Sequence, residues 1–443
     1  MKKSAVFLTV AALAVLRVAA AATPMELEFR RAWQGRFVFD QEIDFPEGVT
    51  FLPAAHYATE IKSLPAAIRI ETNDGREIAS YAAPTNVAPP FTMHLALTCL
   101  HRPAVFATKD GATRLSRIDN LPEGFDPRPK DNLTQLRVRG SGGAGKVRAT
   151  ISAGVGQADV RFVTRGRENA LYWEGGRLFF TFSARFYGAC QAVASIDPRT
   201  LDIRYEGEIL FDYGDGVLRN DLAAHLFFDE EADEWRGWAS NFSTGSNALS
   251  ARAKGGLNAV WSKKAPLHGL NVMSAKSLNL DGMNEDPSGI WDPEAKKWRL
   301  LVSNFTKGGI RAMMLESDRW DGPFAPITGT VSEDSTGTTI QWMNGRRYCF
   351  VGSAAHALHV YSYPKLELLG KLKLQPEPWG DTALQTPWGV MRTGNSRVWP
   401  CFAELPAGYP QRYLLITMDR INVPGMPKPN WTYGGLHVYT AEK

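Results

Sequence analysis

The run Asn284-Glu285-Asp286-Pro287-Ser288-Gly289-Ile290-Trp291-Asp292-Pro293-Glu294-Ala295-Lys296-Lys297-Trp298-Arg299-Leu300-Leu301-Val302-Ser303 decides the architecture. An acidic, polar turn leads into a short apolar strand, a Pro- and Lys-bearing turn follows, and an aromatic and aliphatic strand closes on serine. The same phrase opens at Asn220 (Asn-Asp-Leu-Ala-Ala-His-Leu-Phe-Phe-Asp) and closes with Glu234-Trp-Arg-Gly-Trp-Ala-Ser. Another copy runs Arg-Glu-Asn-Ala-Leu-Tyr-Trp-Glu-Gly-Gly-Arg-Leu-Phe-Phe-Thr-Phe from Arg167, and weaker copies start at Thr338 and Thr386. Five copies spaced by about 50 to 65 residues have the period of a β-propeller blade. Helical periodicity is nearly absent after Ala158, while aromatic and β-branched strands are bounded throughout by Gly, Asn, Asp and Pro. The expected fold is all-β, with a five-bladed β-propeller over residues 156–443.

Outward from the repeats, the N-terminal segment divides in two. Lys2-Lys3, the apolar stretch Ala5 to Leu16 and the small residues through Ala22 read as a signal peptide over 1–22. It is too short to span a bilayer, so the expected protein is exported, to the periplasm or the extracellular space, with no membrane partner. Residues 23–155 carry short alternating strands, such as Ala67-Ile-Arg-Ile-Glu-Thr before the hairpin signal Asn73-Asp-Gly, and Lys146-Val-Arg-Ala-Thr-Ile-Ser. They predict a β-sandwich-like accessory domain ahead of the propeller, with carbohydrate binding as its sharper reading. Ser141-Gly-Gly-Ala-Gly is a break, not a phosphate cradle, because no helical pattern or Lys-Ser pair follows.

Composition narrows the partners. The formal net charge is +4, from 50 basic and 46 acidic residues, and no basic stripe interleaved with aromatics argues for nucleic acid. The four cysteines, Cys99, Cys190, Cys349 and Cys401, include no Cys-x-x-Cys pair. Buried free thiols are the expectation, since cysteine is among the most buried residue types. No cofactor is expected and no transition-metal site; a structural Ca2+ in the central channel is the one ion left room for.

In a propeller the innermost strand of each blade lines a common channel, so residues at the strand starts converge although far apart in sequence. The copies place Glu168 and Asn169, then Asn220 and Asp221, then Asn284, Glu285 and Asp286 at successive entrances, followed by Glu333, Asp334 and Thr336, and by Thr386. Any one of them is an ordinary turn residue. Recurring carboxylates around one axis repel, however, and a converging set can divide into protonated and ionised members. Cleavage of a glycosidic bond needs such a set: an acid for the leaving oxygen and a second carboxylate for water or the anomeric carbon.

On these residues the last 280 or so positions resemble the five-bladed β-propeller glycoside hydrolases, the group of arabinanases, β-xylosidases, invertases and inulinases. Asn284-Glu285-Asp286-Pro287-Ser288-Gly289 is similar to the Asn-Asp-Pro-Asn-Gly of the invertase group, with an inserted Glu and in the third copy instead of the first. The resemblance implies a base on the first blade, a pKa-modulating Asp on the second and an acidic Glu on a later one. Carried over residue by residue, it implies Glu168 or Asp221 as base, Asp221 as stabiliser, and Glu285 or Asp286 as acid. The implied function is a secreted glycoside hydrolase acting on a plant or algal polysaccharide or oligosaccharide.

His225 falls four residues after Asp221 and so on the same face of its strand, open to substrate binding, cation ligation or base catalysis, or to a core role. Arg185, like Arg167 and Arg219, could meet a uronate or sulfate, or pair with neighbouring acids. Asn169, Asn220, His225, Arg185 and Trp388 are the expected sugar contacts. Two other functions stay open: a polysaccharide lyase with His225 or a tyrosine as base, and a non-catalytic sugar-binding propeller.

Overall fold

The computed structural model describes residues 25–33, 35, 45, 47–154, 156–186, 188–241, 256–353, 357–375, 383–386, 389–392, 398–420 and 433–442. The leader at 1–22, His356, Trp379 and Trp388 lie outside them. Five antiparallel blades form the propeller, the outer strands of the first and second pairing in parallel, as do those of the fourth and fifth. The first blade runs from Gly156–Phe162 inward to outward through Arg177–Phe186, Gly188–Asp197 and Asp202–Asp212. Leu222–Asp229, Glu234–Asn241, Gly256–Ser262 and Gly269–Ser277 make the second, and Asn284–Asp292, Lys297–Thr306, Gly309–Ser317 and Ala325–Pro326 the third. Thr336–Met343, Arg346–Gly352, Leu358–Ser362 and Leu368–Gln375 make the fourth.

The fifth blade joins the two ends of the chain. Cys401–Glu404, Tyr413–Arg420 and Tyr433–Ala441 are completed on the outside by Glu26–Trp33, antiparallel to the last strand. The inner strands contact one another in order from the first blade to the fifth and back to the first, so the ring is closed. Hydrogen-bonding the N-terminal strand into the last blade removes the free edge and ties closure to folding of both chain ends.

Apolar clusters fill the wedges between successive blades. Phe179, Ile209, Leu226 and Trp235 sit between the first and second, and Phe227, Trp238, Trp298 and Leu315 between the second and third. Ile290, Met314 and Cys349 fill the next wedge, and Phe350, Phe402 and Tyr439 the one after. The recurring tryptophans of the repeated phrase thus belong to the wedges, where each buried aromatic contributes roughly 2–3 kcal/mol.

Two details differ from the sequence reading. The copy at Arg167 begins one strand late: its true inner strand is Gly156–Phe162, and Ala170–Leu171 and Trp173–Glu174 are short pairings in the connection beyond it. At the other end, Ala383–Thr386 and Gly389–Arg392 form a separate hairpin, and the fifth inner strand is Cys401–Glu404.

Residues 54–150 form a separate seven-stranded sheet. Its 19-residue strand Ala54–Thr72 pairs with Phe91–Thr98 through its first half and with Glu77–Ala82 and Leu136–Ala144 through its second. This sheet is inserted between the strand that closes the fifth blade and the start of the first, so it does not simply precede the propeller. Its core, with Phe51, Tyr57 and Leu95, is continuous with the wedge between fifth and first blades through Phe180, Phe182, Trp399 and Ile416. At that seam Glu208 is buried, its Oε1 accepting from the Ser152 N–H and the Tyr205 hydroxyl, and burial raises its carboxyl to about 7. All four cysteines are buried free thiols. No helix among the described residues is long and apolar enough to cross a membrane.

Candidate functional site

The start of each inner strand defines one end of the channel, here called the mouth. Near that start, four of the five inner strands carry a β-bulge whose central residue has positive φ: Asp159 (57°), Ala223 (55°), Asp286 (57°) and Gly337 (64°). The bulge turns the backbone so that equivalent side chains face the same place around the axis. Just before it, Ala158, Leu222 and Glu285 pair with Ser183, Ser240 and Ser303 of the second strands. The serine that closes the repeated phrase therefore anchors the bulge. Ser183 donates to Asp159 at 2.6 Å, Ser303 to Asp286 at 3.3 Å, and Ser240 accepts from the Asp286 N–H at 2.9 Å.

Two carboxyl groups thus occupy equivalent bulge positions on the first and third blades, with Ala223 between them and Gly337 beyond. Asp159 is 5 % exposed and Asp286 4 %. Asp159 Oδ2 pairs with Arg185 Nη2 at 2.6 Å. Asp286 Oδ2 accepts from Thr336 Oγ1 at 3.0 Å and from the Gly337 N–H at 3.1 Å. Burial raises the Asp286 carboxyl above its ordinary range, the charge of Asp159 pushes it the same way, and Arg161 with the two donors opposes. A carboxyl inclined to keep its proton beside one paired with a guanidinium is the arrangement that splits acid from base.

Asp221 lies at the start of the second inner strand, fully buried. It accepts from the Tyr213 hydroxyl and from Asn258 Nδ2 at 2.8 Å, and Tyr213 is held protonated by burial first and by Asp221 second. Glu285, one residue before Asp286, is half-buried. Asp221, Glu285, Asp286 and Arg185 are therefore brought to one end, as the sequence reading expects.

Glu168 and Asn169 are not at the mouth. Glu168 lies in the turn after the first inner strand, at the opposite end of the channel, half-exposed and paired with Arg347 at 3.2 Å. Asn169 in the same turn is buried with φ 60°, donates to Ile340 O and accepts from Thr164, and so shapes the turn at the end opposite the mouth. Asn220 is buried at the mouth and donates to Ala189 O, pinning the connection between the first two blades. His225 sits deeper in the channel with both nitrogens engaged: Nδ1 accepts from the Gly289 N–H at 3.1 Å, and Nε2 meets Thr164 Oγ1 at 3.3 Å. Burial, then Arg161, lowers it to about 3, so it is neutral and has no lone pair free to act as a base.

Asp159 is the buried carboxylate at the mouth that the sequence reading missed. Its signal was present in Gln157-Ala158-Asp159-Val160-Arg161-Phe162, a strand pattern with one acid near the start, but the stronger phrase at Arg167 drew the register past it.

Neither a family model nor a curated protein matches the sequence. Among solved structures, an α-L-arabinofuranosidase from Lactobacillus brevis is similar at 12% identity and TM-score 0.41, over 64% of this chain and 90% of that one. An α-L-arabinofuranosidase from Podospora anserina aligns at 9% identity and TM-score 0.39, over 64% and 90%. A family 117 glycoside hydrolase from Zobellia galactanivorans aligns at 10% identity and TM-score 0.39, over 65% and 84%.

Proposed function

We propose that the mouth of the propeller hydrolyses glycosidic bonds of a plant or algal poly- or oligosaccharide, and that the protein is exported to do so. The observation that carries the catalytic reading is the pair of buried carboxyl groups, Asp159 and Asp286, at equivalent bulges two blades apart, the charge of Asp159 acting on Asp286. In this reading Asp159 takes the proton of the attacking water, or attacks the anomeric carbon itself, with Arg185 countering its charge. The Glu285–Asp286 pair gives a proton to the departing glycosidic oxygen, half-buried Glu285 reaching the substrate and Asp286 holding a proton beneath it. Asp221, clamped by Tyr213 and Asn258, shapes the wall between them. The lyase reading that uses His225 as base has no support in a neutral imidazole tied at both nitrogens. Export rests on the leader-like stretch from Lys2 to Ala22.

The test is leaving-group dependence. With Glu285→Gln and Asp286→Asn, an oligosaccharide should be cleaved about 10²- to 10⁴-fold more slowly in whichever variant lacks the acid. A dinitrophenyl glycoside, whose leaving group needs no proton, should be cleaved by that variant at close to the wild-type rate. Wild-type rates on the oligosaccharide for both variants would sink the assignment.

A further inference from the structure

Directly below the acids, every blade contributes to the lining of a small cavity, through Arg161, His225, Ser288, Thr339 and Cys401, with Thr164 and Gln341 beside them. The first four are equivalent, each two residues past the bulge of its strand. The space is ≈ 10 Å³, about the least that holds one water-sized particle, so a larger ion needs the lining side chains to give slightly.

The central Ca2+ left room for by the sequence does not fit these residues. A hard cation needs several oxygen ligands, carboxylates foremost, whereas this ring contributes a guanidinium and no carboxylate. His225 presents its one N–H to Thr164 and spends its one ring lone pair on the Gly289 N–H. Among the described residues no group of three or more His, Cys, Asp or Glu is placed to hold a metal ion.

The same ring suits the opposite charge. Arg161 is 2 % exposed and stacks over Trp399 at 5.2 Å. Its Nη1 donates to Thr338 O and reaches Thr339 Oγ1 at 3.4 Å, while Nε and Nη2 are buried with no hydrogen-bond partner among the described residues. Asp286 and Asp159 act on it electrostatically, yet no carboxylate makes an ion pair with it among the described residues. Burial lowers its guanidinium only to about 10, so the charge persists at neutral pH. A buried charge without an ion-pair contact is costly even where carboxylates act on it from farther off. The Ser288 hydroxyl accepts from the Ile340 N–H at 3.0 Å and keeps its own hydrogen, and the Cys401 thiol stays protonated through burial. The uncommitted hydrogens at the cavity are therefore those of Arg161 and Ser288, while those of His225, Thr164 and Thr339 go to Thr164, Asn169 Oδ1 and Gly337 O.

We infer that the channel binds one small monovalent anion, of the chloride class, between the free edge of the Arg161 guanidinium and Ser288. The test uses the full chain with bromide as the probe. Crystals soaked in sodium bromide should show an anomalous difference peak in contact with Arg161 Nε or Nη2. Exchanging gluconate for bromide at constant ionic strength should raise the unfolding temperature by binding the folded state alone. Arg161→Met should abolish that rise and Ser288→Ala should shrink it; if Arg161→Met does not fold, the soak and Ser288→Ala decide. A cavity that stays free of anomalous signal in bromide overturns the inference. So does an EDTA-reversible stabilisation by calcium with calcium density in the ring.

Discussion

The two ends of the inner strands both use aspartate, in contrasting company. At the far end Asp229 and Asp292 each close the turn that follows their strand, accepting from the N–H groups of Glu231 and Ala232, or of Glu294 and Ala295. Each is also gripped by an arginine of its own blade and one from a neighbour. Asp229 meets Arg236 at 2.7 Å and Arg167 at 3.0 Å, and Asp292 meets Arg347 at 3.4 Å and Arg299 at 3.7 Å. Burial works against the Asp292 carboxylate, but the Ala295 N–H, Tyr363 and the two arginines outweigh it and hold it below its usual range. At the mouth Asp159 has one arginine, and Asp286 has hydroxyls and a single N–H. Charge that is neutralised and repeated from blade to blade serves the fold; charge left partly uncompensated and varied between blades is available for chemistry.

Two exchanges break this contrast most directly. Asp159→Asn should lower kcat/KM on a cleavable glycoside by about 10³-fold, while Glu168→Gln, at the far end, should leave it within about two-fold because an exposed ion pair carries little. Equal losses in a steady-state assay would erase the distinction between the ends. Asp229→Asn is the converse: breaking a pair whose acid is wholly buried should cost about 3 kcal/mol, read as a lower urea midpoint, with activity per folded molecule intact.

How far the sequence discloses this contrast depends on what repeats. The Trp-Arg strands, the closing serines and the Asp turns recur because every wedge and every bulge needs the same parts, so blades two and three are readable at Asn220 and Asn284. Blade one is obscured because the insertion of residues 54–150 separates Glu26–Trp33 from Gly156–Phe162, and the louder phrase at Arg167 lies one turn on. The fifth blade is hidden for a related reason: its outer strand comes from the other end of the chain. Asp221, Glu285, Asp286 and Arg185 were legible as entrance residues. The bulges were not, since a positive φ at Asp159 or Ala223 has no glycine to announce it, and without the bulge the acid of blade one could not be aligned with Asp286.

Gly337 marks the one bulge that does use glycine, and it sharpens the comparison within the mouth. A Cβ there would sit 2.7 Å from the Trp399 ring at a φ of +64°, so the fourth blade has no space for the acid that the first and third carry at this position. Gly337→Ala should destabilise by about 2 kcal/mol, as overpacking against a buried ring does, measured by thermal unfolding. A neutral result would show that Trp399 yields, and that the asymmetry of acids around the mouth is not fixed by packing.

The smallest effect concerns Asp286 itself. Its carboxyl is raised in the folded protein, by burial first and Asp159 second, so the native state binds more protons than the unfolded chain between the ordinary carboxylate range and the raised value. Stability must then fall as pH rises through that window, because the slope follows the difference in bound protons. The contribution is complete below the unfolded-state value and lost above the folded one. Asp286→Asn keeps the shape and removes the titration, so its stability should lack this decline and exceed that of the parent at neutral pH. An identical pH slope in parent and variant would mean that Thr336, Ser303 and the Gly337 N–H already compensate the charge, leaving Asp286 as well neutralised as the aspartates of the far end.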